Sequence, residues 1–208
     1  MGYMEKIVII INGNGGVGKD TLCDFAAKQF RVQSVSSITP IKEVAQKYGG
    51  WNGEKDNKSR KFLAGLKELF VEYNDLPFQY LCKEYSHFMK SKEQILFVHI
   101  REGAEIDKFK NQVLGACYTL LITRKSNENI RWGNMSDDNV KMYKYDFVYE
   151  NNKSLKESEW DFCDFLIKNI QEKLYKKRLF LQIRDNERRD VFENKVSLFL
   201  HKHKKIAQ

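Results

Sequence analysis

The sequence predicts an α/β fold in which a parallel β-sheet is covered by helices on both faces. Short apolar runs, typical of buried strands, alternate along the chain with patterns of helical period. A glycine-rich turn also joins the first apolar run directly to the first helical pattern. Strands are predicted at 6–11, 32–37, 94–100, 117–123 and 145–149, and helices at 19–30, from 40 to near 49, and at 61–73, 77–91, 104–114 and 155–174.

Composition places the chain among globular proteins. It has 208 residues, of which 42% are hydrophobic and 31% charged, enough for one domain of ordinary size with a buried core. No run approaches the ~20 apolar residues that cross a membrane. The sequence enters its first strand without a signal-peptide pattern, so we expect a cytoplasmic protein without a membrane segment.

The four cysteines and four histidines show no metal-ligand spacing. Cys23, Cys82, Cys117 and Cys163 are scattered, without a C-x-x-C pair. We therefore expect reduced, buried thiols and no structural zinc.

The net charge of +8 is concentrated in a basic tail, residues 173–208, which has eleven Lys or Arg against four Asp or Glu. Apolar residues recur there at helical spacing, which predicts one or two amphipathic helices. The favoured interpretation is packing on the main domain, residues 1–172, or on a second subunit in a homodimer. Contact with nucleic acid or an acidic partner is the less favoured interpretation, since the acids are interspersed.

The glycine-rich turn has the form of a phosphate-binding loop. Residues 13–21, GNGGVGKDT, follow the apolar run 7–11 and fit the P-loop spacing G-x-x-x-x-G-K. Such a loop aims backbone N–H groups and the positive end of a helix dipole at phosphate oxygens, and Lys19 adds a charge for the β- and γ-phosphates. Asp20 stands where Ser or Thr is usual. The candidate nucleotide-binding residues are Gly13, Asn14, Gly15, Gly16, Val17, Gly18, Lys19, Asp20 and Thr21.

Several later segments, in the same order along the chain, carry a resemblance to a known family. They are P-I-K-E at 40–43, G-W at 50–51 with K-D at 55–56 and Arg60, H-I-R-E-G-A-E at 99–105, S-D at 136–137, and D-F-V-Y-E-N-N at 146–152. With the Gly-Lys-Asp-Thr ending of the P-loop, they make residues 5–170 resemble the phage-type deoxynucleoside monophosphate kinases, which are related to the phosphomevalonate kinases. Two positions depart from the family pattern, His99 for Asp and Lys153 for Gly.

The resemblance implies a three-layer P-loop NTPase fold, ATP and Mg²⁺ as cofactors, and a small-molecule nucleotide substrate. It places a helical acceptor-binding insertion at about 40–92 and a lid loop at about 124–140. It also implies roles for individual residues: Arg101, Lys42 and Arg60 at the acceptor, Arg124 and Arg131 in the lid, and Asn151 and Asn152 at the adenine pocket.

Simpler interpretations of these residues stay open. Asp20 either binds magnesium, directly or through water, or only favours the helix N-terminus as a carboxylate. Arg101, Arg60 and Arg131 are alternatively exposed surface charges. Asn is also an ordinary choice in a turn. Glu105 is interpreted as a structural residue and a partner of Arg101.

We therefore predict a phosphotransferase that moves the γ-phosphate of ATP to a nucleoside or deoxynucleoside monophosphate, with Lys19, Arg101, Arg124 and Arg131 in catalysis. One alternative keeps the enzyme and changes the acceptor to phosphomevalonate or another small phosphorylated metabolite. Another is a catalytically weak nucleotide-binding module, indicated by His99, whose basic tail binds a partner.

Overall fold

The structure is a computed structural model, described here over residues 6–54, 56–127 and 140–171. Within these ranges the strands form a single sheet of order β2-β3-β1-β4-β5, and all neighbouring strands run parallel. The strands are β1 (Ile7–Asn12), β2 (Val32–Ser36), β3 (Ile95–His99), β4 (Ala116–Thr123) and β5 (Phe147–Glu150).

Helices connect these strands, as expected for a parallel sheet. They are α1 (Lys19–Ala27), α2 (Thr39–Gly49), α3 (Asn57–Asn74), α4 (Leu76–Lys90), α5 (Gly103–Lys110) and α6 (Leu155–Leu166). Short 3₁₀ turns lie at Lys125–Asn127 and Val140–Met142, and a π-helical turn lies at Ile167–Gln171.

Both faces of the sheet are covered. Val8 and Ile10 of β1 belong to a buried cluster that includes Phe88 of α4 and Phe109 of α5. Successive strand side chains point to opposite faces, so the fully buried Ile9 lies on the other side. The predicted three-layer α/β architecture is confirmed.

The order of the strands defines where a ligand can bind. From β1 the chain crosses to β2 at one edge of the sheet, whereas from β3 it crosses to β4 on the other side of β1. Open α/β sheets bind ligands where the winding direction changes, outside the carboxyl ends of the strands. In this chain that place lies between the ends of β1 and β3.

Element boundaries differ from the sequence prediction by a few residues, and α3 shows why. It begins at Asn57 rather than residue 61, because the Asp56 carboxylate accepts a hydrogen bond from the Ser59 backbone N–H at 2.6 Å and caps the helix. Helix α5 also differs, because it ends at Lys110 rather than at residue 114.

Two compact units divide the chain, Met1–Cys163 and Asp164–Gln208. The second is described only over residues 164–171, so the predicted basic tail lies outside the described residues and its boundary at residue 172 stays a prediction. Among the described helices, none is long and apolar enough to span a membrane.

The four cysteines are free thiols, as predicted, and two of them, Cys23 and Cys163, are buried. Burial raises the pKa of all four thiols, and that of Cys117 reaches about 12. Within the described ranges, no group of three or more His, Cys, Asp or Glu residues could hold a metal ion.

Candidate functional site

The loop between β1 and α1 has glycines at positive φ, a backbone region that favours glycine, and at two of these positions an added Cβ would also clash. Gly13 has φ +147° and Gly18 has φ +90°. A Cβ at Gly13 would lie 2.4 Å from the carbonyl oxygen of Ile122, and one at Gly18 would lie 2.6 Å from Nδ2 of Asn151. The loop therefore passes close against the end of β4 and the residue that follows β5.

Lys19 is the first residue of α1 and its side chain folds back over the loop. Its Nζ donates hydrogen bonds to the carbonyl oxygens of Gly13 and Asn14, the latter at 3.0 Å. The ammonium group thus lies at the positive end of α1, and Gly18 brings no side chain to cap that end. The sequence motif is therefore a structured loop in which a lysine charge and a helix N-terminus coincide. The fold is that of the P-loop NTPases.

Asn151, directly after β5, holds this loop by a side-chain hydrogen bond. Its side chain is buried, its Nδ2 donates to the carbonyl of Val17 at 2.8 Å, and its Oδ1 accepts from Ser158 Oγ at 3.1 Å. Asn152 is exposed, and its Oδ1 accepts from the backbone N–H of Lys125. Their predicted part in an adenine pocket stays a prediction, while the geometry gives Asn151 a structural part.

His99, the last residue of β3, lies beside the start of α1. Its Nδ1 is 3.8 Å from Oδ1 of Asp20, and its Nε2 is 3.1 Å from Oγ of Ser34. Burial lowers the pKa of His99 to about 4, against the opposite effect of Asp20. The imidazole is therefore neutral at neutral pH and does not replace the charge of a carboxylate. The Asp20 carboxylate is 95% exposed.

The positive charge of Lys42 on α2 contributes to the low pKa of His99, so this predicted acceptor residue lies close enough for the two groups to interact. Arg101 lies two residues after the end of β3 and is exposed, as is Arg60 on α3. Arg131 lies outside the described residues. The structure thus brings the P-loop, His99, Lys42 and Arg101 to adjacent strand ends.

A buried polar junction connects three segments of the site. Nδ2 of Asn12, at the end of β1, donates to the carbonyl of Arg101 at 2.9 Å and to Oη of Tyr145 at 2.8 Å. Tyr145 in turn donates to the carbonyl of Val140 at 2.9 Å, and Oδ1 of Asn12 accepts from the Gly13 N–H. The junction therefore joins the P-loop, the Arg101 segment and Val140, the last residue of the predicted lid loop.

A second cluster joins the helical insertion to the Arg101 segment. Nζ of Lys67 on α3 lies 2.7 Å from Glu102 and 2.8 Å from Glu105. Burial lowers the pKa of Lys67, but the two carboxylates outweigh it and the pKa is raised. Burial also raises the pKa of Glu105, to about 7. The ion-pair partner that the structure gives Glu105 is therefore Lys67, whereas the partner predicted from the sequence was Arg101.

A shallow, open recess lies beside the P-loop at the end of β4. The half-buried Arg124 lines it, which places this predicted lid residue at the edge of the nucleotide-binding loop. The other lining residues are Asn14, Val17, Leu121, Ile122, Thr123, Val140 and Lys141.

Sequence reasoning did not find the Asn12–Tyr145 junction or Lys67. Asn12 carried a usable signal, because it is a polar residue that ends an apolar run directly before the glycine-rich loop. Lys67 carried none, since it is one of many charged residues in its segment.

No protein-family model and no curated protein matches the sequence. Solved structures with a similar fold include a putative kinase from Chloroflexus aurantiacus, 12% identical over 82% of this chain and 99% of that one, with a TM-score of 0.48. Shikimate kinase from Aquifex aeolicus is 13% identical over 79% and 99%, with a TM-score of 0.46. A gluconokinase from Sinorhizobium meliloti is 13% identical over 85% and 99%, also with a TM-score of 0.46. At these values no statement about this chain rests on the likeness.

Proposed function

We propose that this protein transfers the γ-phosphate of ATP to a nucleoside or deoxynucleoside monophosphate. One observation carries the proposal. The P-loop with Lys19 follows β1, Arg101 follows β3, and these two strands are paired in parallel register up to Ile11 and His99. A cradle for donor phosphates and a cation for an acceptor phosphate therefore leave the sheet side by side.

On the donor side, the proposal rests on the loop geometry. Phosphoryl transfer asks a protein mainly for positioning and for positive charge around the moving group. The P-loop backbone would hold the phosphates, Thr21 would bond one of them at the start of α1, and Lys19 would exchange its bonds to Gly13 and Asn14 for phosphate oxygens.

The residues present fit a magnesium ion held together with ATP. Mg²⁺ is commonly bound through one or two carboxylates with waters and substrate phosphates, so it does not need a cluster of protein ligands. The exposed Asp20 carboxylate and the Thr21 hydroxyl offer oxygen ligands at the start of α1. Bound there, the ion would neutralise phosphate charge.

The acceptor would bind between Arg101 and the helical insertion formed by α2, α3 and α4. The planar guanidinium of Arg101 suits bidentate contact with a phosphate. Lys42 adds positive charge from α2, and Arg60 is the corresponding candidate on α3. The Asn12 bond to the Arg101 carbonyl would hold this acceptor group in register with the P-loop.

The lid residues complete the proposal. Arg124, in the wall of the recess beside the P-loop, would neutralise charge during transfer, and Arg131 would join it from the loop that follows. Asn152, next to the start of that loop, is the remaining candidate for the adenine pocket.

A catalytically weak nucleotide-binding module is the second candidate, and His99 favours it. The resembled kinases have an Asp at this position, whereas this chain has a neutral, half-buried imidazole. A missing negative charge beside Asp20 would weaken catalysis while leaving the P-loop intact.

The test is ADP production from ATP and Mg²⁺ with a panel of ribo- and deoxyribonucleoside monophosphates. Lys19→Ala should abolish acceptor-dependent ADP, whereas Lys47→Ala, which removes an exposed lysine on α2, should not. ATP binding without turnover on any acceptor would support the module instead. Unchanged ATP affinity in Lys19→Ala would overturn both functions.

A further inference from the structure

Helix α3 carries seven large apolar side chains but buries none of its 18 residues. Its large apolar side chains are Phe62, Leu63, Leu66, Leu69, Phe70, Val71 and Tyr73. Leu63 and Phe70 are half-buried, which is consistent with the packing of α3 beside α2 and α4. The remaining apolar surface needs another explanation.

Part of that surface forms one continuous stripe. Phe62 is 40% exposed, Leu69 64% and Tyr73 84%, and the half-buried Leu66 lies between them. The spacing i, i+4, i+7, i+11 puts these four residues, here called the α3 stripe, on one side of the helix. Tyr48 of α2, 74% exposed, extends the apolar surface, because Gly49 beside it approaches the Phe62 ring.

Charges along one flank of the α3 stripe change sign from end to end. Lys61 lies near the N-terminal end, and Glu68 and Glu72 lie near the C-terminal end, on the same side of the helix. Within the described residues, neither Lys61 nor Glu72 makes an ion pair. The helix therefore offers an apolar stripe with one cationic and one anionic end.

We propose that a second copy of this chain covers the α3 stripe, with the two α3 helices antiparallel about a twofold axis. In that arrangement Phe62 faces Tyr73 of the second copy, and Leu66 faces its Leu69. Lys61 meets Glu72 of the second copy at both ends of the pair. A parallel arrangement would put the two charged flanks on opposite sides of the helix pair, so Lys61 could not meet Glu72.

Self-complementarity of this kind is what a twofold interface requires, because the same patch serves on both subunits. The stripe extends over about 16 Å at the rise of an α-helix, so the interface is small and the dimer concentration-dependent. Lys67, which pairs with Glu102 and Glu105, lies on another side of α3, so the dimer leaves the acceptor side accessible.

The first experiment measures the mass of the full chain by analytical ultracentrifugation over a micromolar to submillimolar series. We expect it to rise towards twice the 24.6 kDa of one chain. Leu69→Glu should leave a monomer at every concentration. Leu114→Glu is the matched control, since Leu114 is an 85% exposed leucine outside the stripe, and it should dimerise as the wild type does. Circular dichroism should give the same spectrum for both variants.

A charge exchange tests the antiparallel arrangement. Lys61→Glu alone and Glu72→Lys alone should each raise the dimer Kd by about tenfold, because each creates two like-charge contacts across the twofold axis. The double variant should restore the wild-type Kd.

Three outcomes would overturn the proposal. A wild-type chain that stays monomeric throughout would mean that no second copy covers the stripe. A Leu69→Glu variant that still dimerises would place the interface elsewhere. A double charge variant no tighter than the single ones would exclude the antiparallel pairing.

Discussion

Replacing Gly18 by alanine should weaken the protein through two separable effects. The first is the backbone, since φ at Gly18 is +90°, a conformation that costs a residue with a Cβ about 1 to 2 kcal/mol. The second is the new Cβ, which would lie 2.6 Å from Nδ2 of Asn151. That amide is buried and bonded to Val17 and Ser158, so it can give way only by losing a hydrogen bond worth about 1 kcal/mol.

Gly53 provides the control for the backbone effect. Its φ of +94° nearly equals that of Gly18, but a Cβ there would have nothing within 4 Å. Gly53→Ala should therefore lose only about 1 to 2 kcal/mol of unfolding free energy, and Gly18→Ala about 2 to 3 kcal/mol. Urea unfolding measures both values.

A double-mutant cycle with Asn151→Ala isolates the clash. Removing the Asn151 amide makes room for the new methyl group, so Gly18→Ala should cost about 1 kcal/mol less in that background. Gly53→Ala should cost the same in either background. Strict additivity of Gly18→Ala and Asn151→Ala would refute the contact described between the P-loop and the end of β5.

Three further predictions concern other parts of the site. His99→Asp should raise turnover in the ADP assay, because it puts a carboxylate where the resembled kinases have one; no rise would favour the binding module or another acceptor. Tyr145→Phe removes the bond to the Val140 carbonyl and the oxygen that accepts from Asn12 Nδ2. It should cost about 1 to 2 kcal/mol in urea unfolding and raise the acceptor KM more than it lowers kcat. An unchanged KM would limit this junction to stability. Because burial raises the pKa of Glu105 from 4.5 to about 7, its carboxyl group stabilises the fold at low pH, and this contribution is lost as the pH rises through 7. Between pH 4.5 and about 7 the unfolding free energy of the wild type should therefore fall by at most about 3 kcal/mol, and this fall should be absent from Glu105→Gln. Parallel curves of unfolding free energy against pH for the two proteins would contradict this.

The sheet and the P-loop could be predicted because their signals are local. Five successive apolar residues before a glycine-rich loop define a buried strand, a turn and the start of a helix within a single segment. Each predicted strand is present within two residues of its predicted ends. The start of α3 was predicted four residues too late. Asp56 and Ser59, whose hydrogen bond caps the helix, look in the sequence like residues of a polar loop.

The partners of the site residues could not be predicted, because they come from distant parts of the chain. Asn151 bonds to Val17, which is 134 positions away, and Lys67 bonds to Glu102, 35 positions away. Such pairs depend on how helices pack on the sheet, and no periodic pattern or spacing in a single sequence encodes them. The Asn151 side chain therefore looked like an ordinary turn residue.

The raised thiol pKa values have a practical use. Only the thiolate reacts readily with alkylating dyes, so burial makes the cysteines at 23, 82, 117 and 163 slow to label in the folded protein at neutral pH. A new cysteine at a solvent-facing position, such as Lys47→Cys on α2, would react first without removal of the native four. The fluorescence of a dye at this position would then follow movement of the helical insertion as each nucleotide is added.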